Sequence, residues 1–288
     1  MPAAPYLFIL PYLLIFASFW AWPIVSSFLL SFKDSRLGAA APWGVTNWTR
    51  LAGDEFFRTA LKNTFVILII QVPTMLLMAT GLAVALNSRM LRARGLFRFA
   101  FFAPLVVGTV ASSAVFRLLF NTDFGMVNRA LGGLGLPPVD WLNQPGPAMT
   151  VIILALLWRW TGYNAIILLA GLQGIREELY EAASIDGATP WQQFWKITVP
   201  MLRPTLLNLY VLAFIGKMKV FDLVWIMTGG GPLWATETVS TYVYKRAFNW
   251  NTFDLGYPSA IATVWFGVVC AAVIILNRVF RSRDRLEY

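Results

Sequence analysis

Long apolar runs alternate with polar segments along this chain of 288 residues. A helix needs roughly 20 apolar residues to cross about 30 Å of hydrocarbon, and six runs reach that length. The pattern predicts an all-α membrane protein that forms one transmembrane domain over residues 1–288. Its six transmembrane helices are predicted at about residues 6–32, 61–87, 99–120, 147–171, 203–227 and 255–278.

One polar segment, residues 172–202, has the pattern of two short helices that meet at a hinge. Gly187 is predicted to close the first helix, because glycine takes the left-handed C-cap conformation without steric cost. Thr189 is predicted to cap the second helix, and Pro190 suits its first position, where no backbone N–H is needed. One face of the second helix carries Trp191, Phe194, Trp195 and Thr198.

This segment resembles the cytoplasmic loop of the permease subunits of ATP-binding-cassette (ABC) importers. The family pattern is Glu-Ala-Ala, three residues, Gly, nine residues, Ile, one residue and Leu-Pro. The matching positions here are Glu181, Ala182, Ala183, Gly187, Ile197 and Pro200, with Val199 in place of the leucine. The resemblance implies a type I importer permease fold with six transmembrane helices. It assigns ATPase coupling to Glu181, Ala182, Ala183, Asp186, Gly187 and Pro190, and it implies that Glu181 pairs with an arginine of the ATPase.

Composition and charge agree with a membrane protein and predict its orientation. Hydrophobic residues make up 58% of the chain and charged residues 13%, which is too apolar for a soluble domain. Basic residues crowd the second loop and the tail, at Arg89, Arg92, Arg94, Arg98, Arg278, Arg281, Arg283 and Arg285. The positive-inside rule therefore predicts that both termini are cytoplasmic, although the first loop also carries basic residues. The net charge of +9 suits anionic lipid and requires no nucleic-acid partner.

The chain has no histidine and a single cysteine, Cys270, so it offers no histidine-based catalysis, no histidine-ligated metal site and no internal disulfide. An ATP-binding loop would read Gly-x-x-x-x-Gly-Lys-Ser/Thr. The one Gly-Lys pair, Gly216-Lys217, lacks the preceding glycine and is followed by Met218. We therefore predict no catalytic residue, no metal and no cofactor in this chain. If transport is active, the energy must come from another protein.

Charged residues within two predicted spans are candidates for function, because a charge at mid-span normally faces protein or water. Arg159 is either a structural ion-pair partner or part of a substrate pathway. Lys219 and Asp222 are predicted to lie on one helical face and to neutralise each other. Lys217 has no such partner, and its stripe is predicted to face a cavity.

The fifth span ends in a second motif, in which Phe221-Asp222 is followed by Thr228-Gly229-Gly230-Gly231-Pro232. This motif is similar to that of the carbohydrate-uptake branch of the importer permeases, which is related to the maltose system. The similarity implies a substrate pathway at Gly162, Ala165, Ala213, Gly216, Lys217 and Val220. The chain departs from that relative at Lys217 and Val220, which stand where amides hydrogen-bond the sugar.

Together these resemblances imply a permease subunit, not an enzyme, that imports a sugar or oligosaccharide across a prokaryotic cytoplasmic membrane. The implied partners are a second homologous permease, a dimer of ABC ATPase subunits that bind ATP and Mg, and an extracytoplasmic solute-binding protein. One alternative has the same architecture but an anionic solute such as a glycerol phosphate, which the unpaired Lys217 favours. The other is a stand-alone secondary transporter, which would need intramembrane carboxylates for ion coupling.

Overall fold

A computed structural model describes residues 4–34, 36, 42–88, 93–249 and 254–284. Within them the secondary structure is helical apart from one isolated bridge between Lys33 and Trp43, which confirms the predicted all-α fold class. Contacts group the chain into a first unit, Met1–Thr59 with Val239–Ala272, and a second unit, Ala60–Thr238 with Val273–Tyr288. Arg89, Arg92 and Arg285 of the predicted basic clusters lie outside the described residues.

The helices follow one another along the chain with few long connections. They are α1 Ala4–Phe16, α2 Trp22–Leu30, α3 Thr46–Ala52, α4 Glu55–Asn87, α5 Arg94–Val106, α6 Thr109–Leu119, α7 Met126–Gly133, α8 Pro145–Gln173, α9 Glu177–Ile185, α10 Pro190–Gln193, α11 Val199–Met218, α12 Asp222–Thr228, α13 Val239–Tyr244 and α14 Gly256–Asp284. The described residues also contain π-helical turns at Ala17–Ala21, Phe194–Thr198 and Lys245–Asn249.

Among the described residues, five helical segments are long and apolar enough to cross a membrane. They are Phe8–Leu30, Glu55–Asn87, Pro145–Gln173, Pro190–Met218 and Gly256–Arg278. A sixth span results if α5 and α6 are counted together, although these two helices meet at an angle of 98°. The segment Pro190–Met218 joins α10 to α11 through a π-helical turn, so it is one helix of 29 residues.

The third span differs from the continuous helix predicted over residues 99–120, because it is broken between α5 and α6. Val107 and Gly108 are extended, with ψ angles of 125° and 145°. Arg159 Nη1 donates a hydrogen bond of 2.7 Å to the Val107 carbonyl, which the helix itself no longer uses. This bond allows the break to persist, since an unpaired carbonyl in an apolar surrounding costs several kcal/mol.

The fifth span also differs from its prediction over residues 203–227. The long helix ends at Met218, and α12 starts at Asp222 after a break in which the Val220 carbonyl accepts a 3.0 Å hydrogen bond from the Thr238 hydroxyl. The prediction that Lys219 and Asp222 share a helical face is wrong, because the break falls between them.

The core of the second unit is formed by apolar side chains of α4, α6, α8 and α12. Buried members include Ile67, Met75, Phe116, Ile152, Leu156 and Val224. α5 crosses α8 so closely that a Cβ atom added to Gly162 would lie 1.7 Å from the Phe101 carbonyl oxygen. Glycine is thus required at position 162 for this helix crossing.

In the first unit, the carboxylate of Asp54 is the centre of a hydrogen-bond network. The hydroxyls of Tyr242 and Tyr257 both donate to its Oδ2. Its Oδ1 accepts from the N–H groups of Phe56 and Phe57 at 2.9 and 3.1 Å, which caps the start of α4. Residues far apart in sequence are therefore held together by one buried carboxylate.

Charge on Asp54 is favoured by this network. Burial acts to raise the pKa of the Asp54 carboxyl, but the hydrogen bonds from Tyr242, Tyr257 and Phe57 and the charge of Arg246 outweigh it, so this pKa lies below its ordinary value. A carboxyl whose pKa is lowered by folding stabilises the fold at pH values above its ordinary pKa. That stabilisation is lost as the pH falls through the pKa of the folded state.

We expect Asp54→Asn to lower the free energy of unfolding by about 2 kcal/mol, because two buried hydroxyls then donate to an uncharged acceptor. Thermal unfolding of the purified protein at neutral pH measures this as a lower melting temperature. Asp123→Asn is the matched control, since Asp123 is exposed. Equal melting temperatures for the two variants would contradict a stabilising role for the Asp54 network.

Candidate functional site

Two features of the second unit are candidate functional sites, an exposed elbow and a cavity among apolar helices. The elbow is defined here as residues 177–193, which comprise α9, α10 and their connection. α9 ends in a Schellman motif, in which the Ala188 and Gly187 N–H groups bond to the carbonyls of Ala183 and Ser184 at 2.9 and 3.1 Å. Gly187 has a φ angle of +80°, which confirms that glycine closes this helix.

A reciprocal pair of hydrogen bonds starts the second helix of the elbow. The Gln192 N–H donates to Thr189 Oγ1 at 3.3 Å, and the Thr189 N–H donates to Gln192 Oε1 at 2.8 Å. Pro190 occupies the first position of α10. The predicted roles of Thr189 and Pro190 in helix initiation are therefore confirmed, and Gln192 completes the capping box.

Side chains brace the two helices of the elbow against each other. The hydroxyls of Tyr180 and Thr198 lie 2.9 Å apart. Gln193 Nε2 donates to Ser184 Oγ at 2.8 Å, and that hydroxyl donates to the Tyr180 carbonyl at 2.8 Å. These bonds tie α9 to the first turns of the long helix Pro190–Met218, so the elbow and that helix are held as one piece.

The surface of the elbow combines a carboxylate with exposed apolar side chains. Among the residues predicted to couple to an ATPase, Ala183 is half-buried, and the exposed ones are Glu181, Ala182, Asp186, Gly187 and Pro190. The exposed apolar neighbours are Leu179, Ile185, Trp191 and Trp195. No cation pairs with Glu181 anywhere in the described part of the chain. Such a surface suits docking of another protein that brings its own basic group.

The second site is a cavity of about 280 Å³ lined by residues of three helices. Its walls are Met75 of α4, Trp160, Tyr163 and Asn164 of α8, and Leu209, Leu212, Ala213, Gly216 and Lys217 of α11. Ala213, Gly216 and Lys217 were predicted for the substrate pathway, and all three line this cavity. Val220 lines a neighbouring cavity of about 140 Å³ instead.

Lys217 is the one charged wall residue of the larger cavity in the described structure, and it is 5% exposed. Its Nζ lies 4.6 Å from the centroid of the Trp160 ring, a distance typical of a cation–π contact. Arg159 lines the smaller cavity together with Lys217. Its bond to Val107 gives Arg159 a structural role, and its position also leaves it beside the candidate pathway.

Two residues predicted for the pathway, Gly162 and Ala165, do not line either cavity. Gly162 faces the backbone of Phe101 at the crossing of α5 and α8. Ala165 is fully buried in a cluster with Ala79, Leu168 and other apolar side chains. Both positions are small because helices approach each other there, which is the usual role of small residues between membrane helices.

Several cavity residues were not predicted from the sequence. Trp160, Tyr163 and Asn164 follow one another closely in α8, and this concentration of aromatic and polar side chains in an apolar span was a usable signal. Asn164 Nδ2 donates to the Trp160 carbonyl at 2.8 Å. Met75 lies in α4, and an isolated methionine in an apolar helix gives no local signal.

Known proteins resemble this chain along nearly its whole length. The family model described as "binding-protein-dependent transport system inner membrane component" matches residues 78–285. The chain is 38% identical to the lactose transport system permease protein LacF of Rhizobium radiobacter, over 97% of this chain and 94% of that protein. It is 35% identical to the arabinooligosaccharides transport system permease protein AraP of Bacillus subtilis, over 95% and 87% of the two chains.

A solved structure has the same fold. It is a chain of a bacterial alginate ABC transporter in complex with an alginate pentasaccharide-bound periplasmic protein. The TM-score is 0.85 at 24% identity, and the match covers 97% of this chain and 94% of that chain. The six-span architecture is thus that of ABC importer permeases.

We expect Gly187→Ala to destabilise the elbow by about 1 kcal/mol, because a side chain at a φ of +80° meets its own carbonyl. Hydrogen exchange of the α9 amides, read by mass spectrometry, should become faster. Gly174→Ala is the matched control, since Gly174 ends α8 with a φ of −81° and has only ordinary contacts at its added Cβ. If both variants exchange like the wild type, the left-handed residue does not hold the elbow.

Proposed function

This chain belongs to the family of inner membrane components of binding-protein-dependent transport systems, and from that premise we propose that it imports a sugar or oligosaccharide as one permease subunit of an ABC importer. It is a multi-pass component of a transporter and not an enzyme. The observation that carries the sugar assignment is the near full-length similarity to LacF and AraP, which are named for lactose and arabinooligosaccharides.

The cavity that Lys217 lines supports this assignment by its chemistry. Trp160 and Tyr163 offer aromatic surface, and Asn164 offers an amide. Binding sites for small molecules combine apolar walls with a few polar groups that fix orientation. In our proposal, Ala213, Gly216, Lys217 and Val220 line the path of the sugar. A second homologous permease completes the pathway, and an extracytoplasmic binding protein delivers the solute.

The elbow is proposed to receive the motion of a dimer of ABC ATPase subunits, which bind ATP and Mg. Its exposed surface around Glu181 has the mixed apolar and acidic character of a docking site, and an arginine of the ATPase would supply the missing cation. Because hydrogen bonds brace α9 to the long helix Pro190–Met218, a displacement of the elbow moves the inner end of that helix. ATP-driven closure would thereby switch the pathway between inward-facing and outward-facing states.

The proposed docking of ATPases at the elbow also predicts how the protein is oriented in the membrane. A docking surface for ATPases must be cytoplasmic, and the basic residues Arg94, Arg98 and Arg278 are expected on that side by the positive-inside rule. Both termini are then cytoplasmic as well.

The substrate is tested by reconstituting the importer with its permeases, ATPases and binding protein, and by measuring ATP hydrolysis with a panel of solutes. We expect sugars or oligosaccharides to raise the rate several-fold, because a loaded binding protein favours the ATPase-competent state. Amino acids and peptides serve as the control panel. Stimulation by a peptide alone would overturn the sugar assignment.

We expect Glu181→Gln to reduce solute uptake by about tenfold, because it removes the charge that pairs with the ATPase. Uptake by proteoliposomes measures the effect, and co-purification of the ATPase shows whether assembly survives. Glu178→Gln is the matched control, since Glu178 lies on the same helix and pairs with Arg176 at 2.7 Å. Wild-type uptake by the Glu181 variant would remove its role in coupling.

A further inference from the structure

The Lys217 amino group lies where the described residues offer no counter-ion. Its side chain is 5% exposed, and no carboxylate of the described residues lies within salt-bridge distance of its Nζ. Within the described residues, the Trp160 ring is its one partner. A cation–π contact offsets only part of the cost of taking an ammonium group out of water. The charge is therefore only partly compensated.

Neighbouring charges do not supply the missing anion. The cavity of about 280 Å³ has no acidic wall residue in the described structure. The neighbouring cavity of about 140 Å³ is lined by Arg159 and Lys219 as well as Lys217, and Asp222 is the acid among its walls. Asp222 belongs to α12, beyond the break that ends the long helix, and it is exposed. Positive charge thus exceeds negative charge around this part of the pathway.

We propose that the larger cavity binds a sugar that carries an anionic group, a carboxylate, phosphate or sulfonate, and that this group pairs with Lys217 Nζ. The inference rests on the proposed function, sugar import, and specifies the class of sugar. The anion supplies the counter-charge that the described protein lacks, and a charge-assisted hydrogen bond in a site of low dielectric is among the stronger polar contacts.

The remaining walls suit the sugar part of such a ligand. The Tyr163 ring offers apolar surface. Asn164 Nδ2 is already bonded to the Trp160 carbonyl and to the Met75 sulfur, and its Oδ1 has no partner among the described residues, so it can accept a bond from a sugar hydroxyl. A neutral sugar would fill the same space but leave the ammonium group without a counter-ion. The site therefore discriminates by charge.

Equilibrium dialysis of the whole importer assembly in nanodiscs tests this inference. The labelled probes are glucose, glucuronate and glucose 6-phosphate, with a disaccharide pair that differs by one carboxylate. We expect the wild-type assembly to bind at least one acidic probe roughly tenfold more tightly than its neutral counterpart, as for a hydrogen bond to a charged group.

Lys217→Met should abolish that preference, and Lys217→Arg should retain it. Lys62→Met is the control, because Lys62 is an exposed lysine at the start of α4.

The outcomes separate this inference from the function on which it rests. Tighter or equal binding of the neutral sugars by the wild type overturns the anionic class and leaves sugar import in place. A preference for acidic probes that survives in Lys217→Met overturns the role of Lys217. If Lys217→Met fails to assemble and the wild type prefers neutral sugars, the anionic class is overturned. Lys217 then pairs with an acidic residue of the partner permease instead. An assembly that binds no sugar but is stimulated by other solutes overturns both proposals.

Discussion

Every backbone carbonyl inside a membrane must find its donor within the protein, because lipid offers none. This chain meets that constraint with side chains at two helix breaks in its second unit. Arg159 donates to the Val107 carbonyl at the first break, and Thr238 donates to the Val220 carbonyl at the second. The second break ends the long helix one residue after Lys217, which is why a lysine in the last turn of that helix faces a cavity.

The long helix Pro190–Met218 connects the two candidate sites. It has 29 residues, so it spans roughly 43 Å at 1.5 Å per residue. Its first turn belongs to the braced elbow, and its last turn carries Gly216 and Lys217. The π-helical turn at Phe194–Thr198 and Pro204 within α11 are irregular points along it, and Thr198 bonds to Tyr180 of α9. In our proposal, this helix carries a displacement of the elbow toward the cavity that Lys217 lines.

Features that depend on interactions between neighbouring residues can be predicted from the sequence, whereas features that depend on contacts between distant segments cannot. The elbow depends on local chemistry, so Gly187, Thr189 and Pro190 were sufficient to predict its hinge and its second helix. The cavity depends on which helices meet, and a single sequence does not show that Met75 of α4 faces Lys217 of α11. Gly162 illustrates the difference, since the resemblance suggested a pocket and the structure shows a close crossing with Phe101. The Asp54 network was also missed, because its tyrosines lie far away in sequence.

The central claim is that the elbow is the surface through which a separate ATPase moves this permease. Site-specific photo-crosslinking in the assembled importer tests it most directly, with the crosslinker at Ile185, which is 86% exposed on the elbow. Leu134, exposed in the loop between α7 and α8, is the matched position on the expected outer side. The account predicts an ATPase adduct from position 185 that changes with ATP, and none from position 134. Adducts from position 185 to lipid alone, or to the extracytoplasmic binding protein, would contradict it.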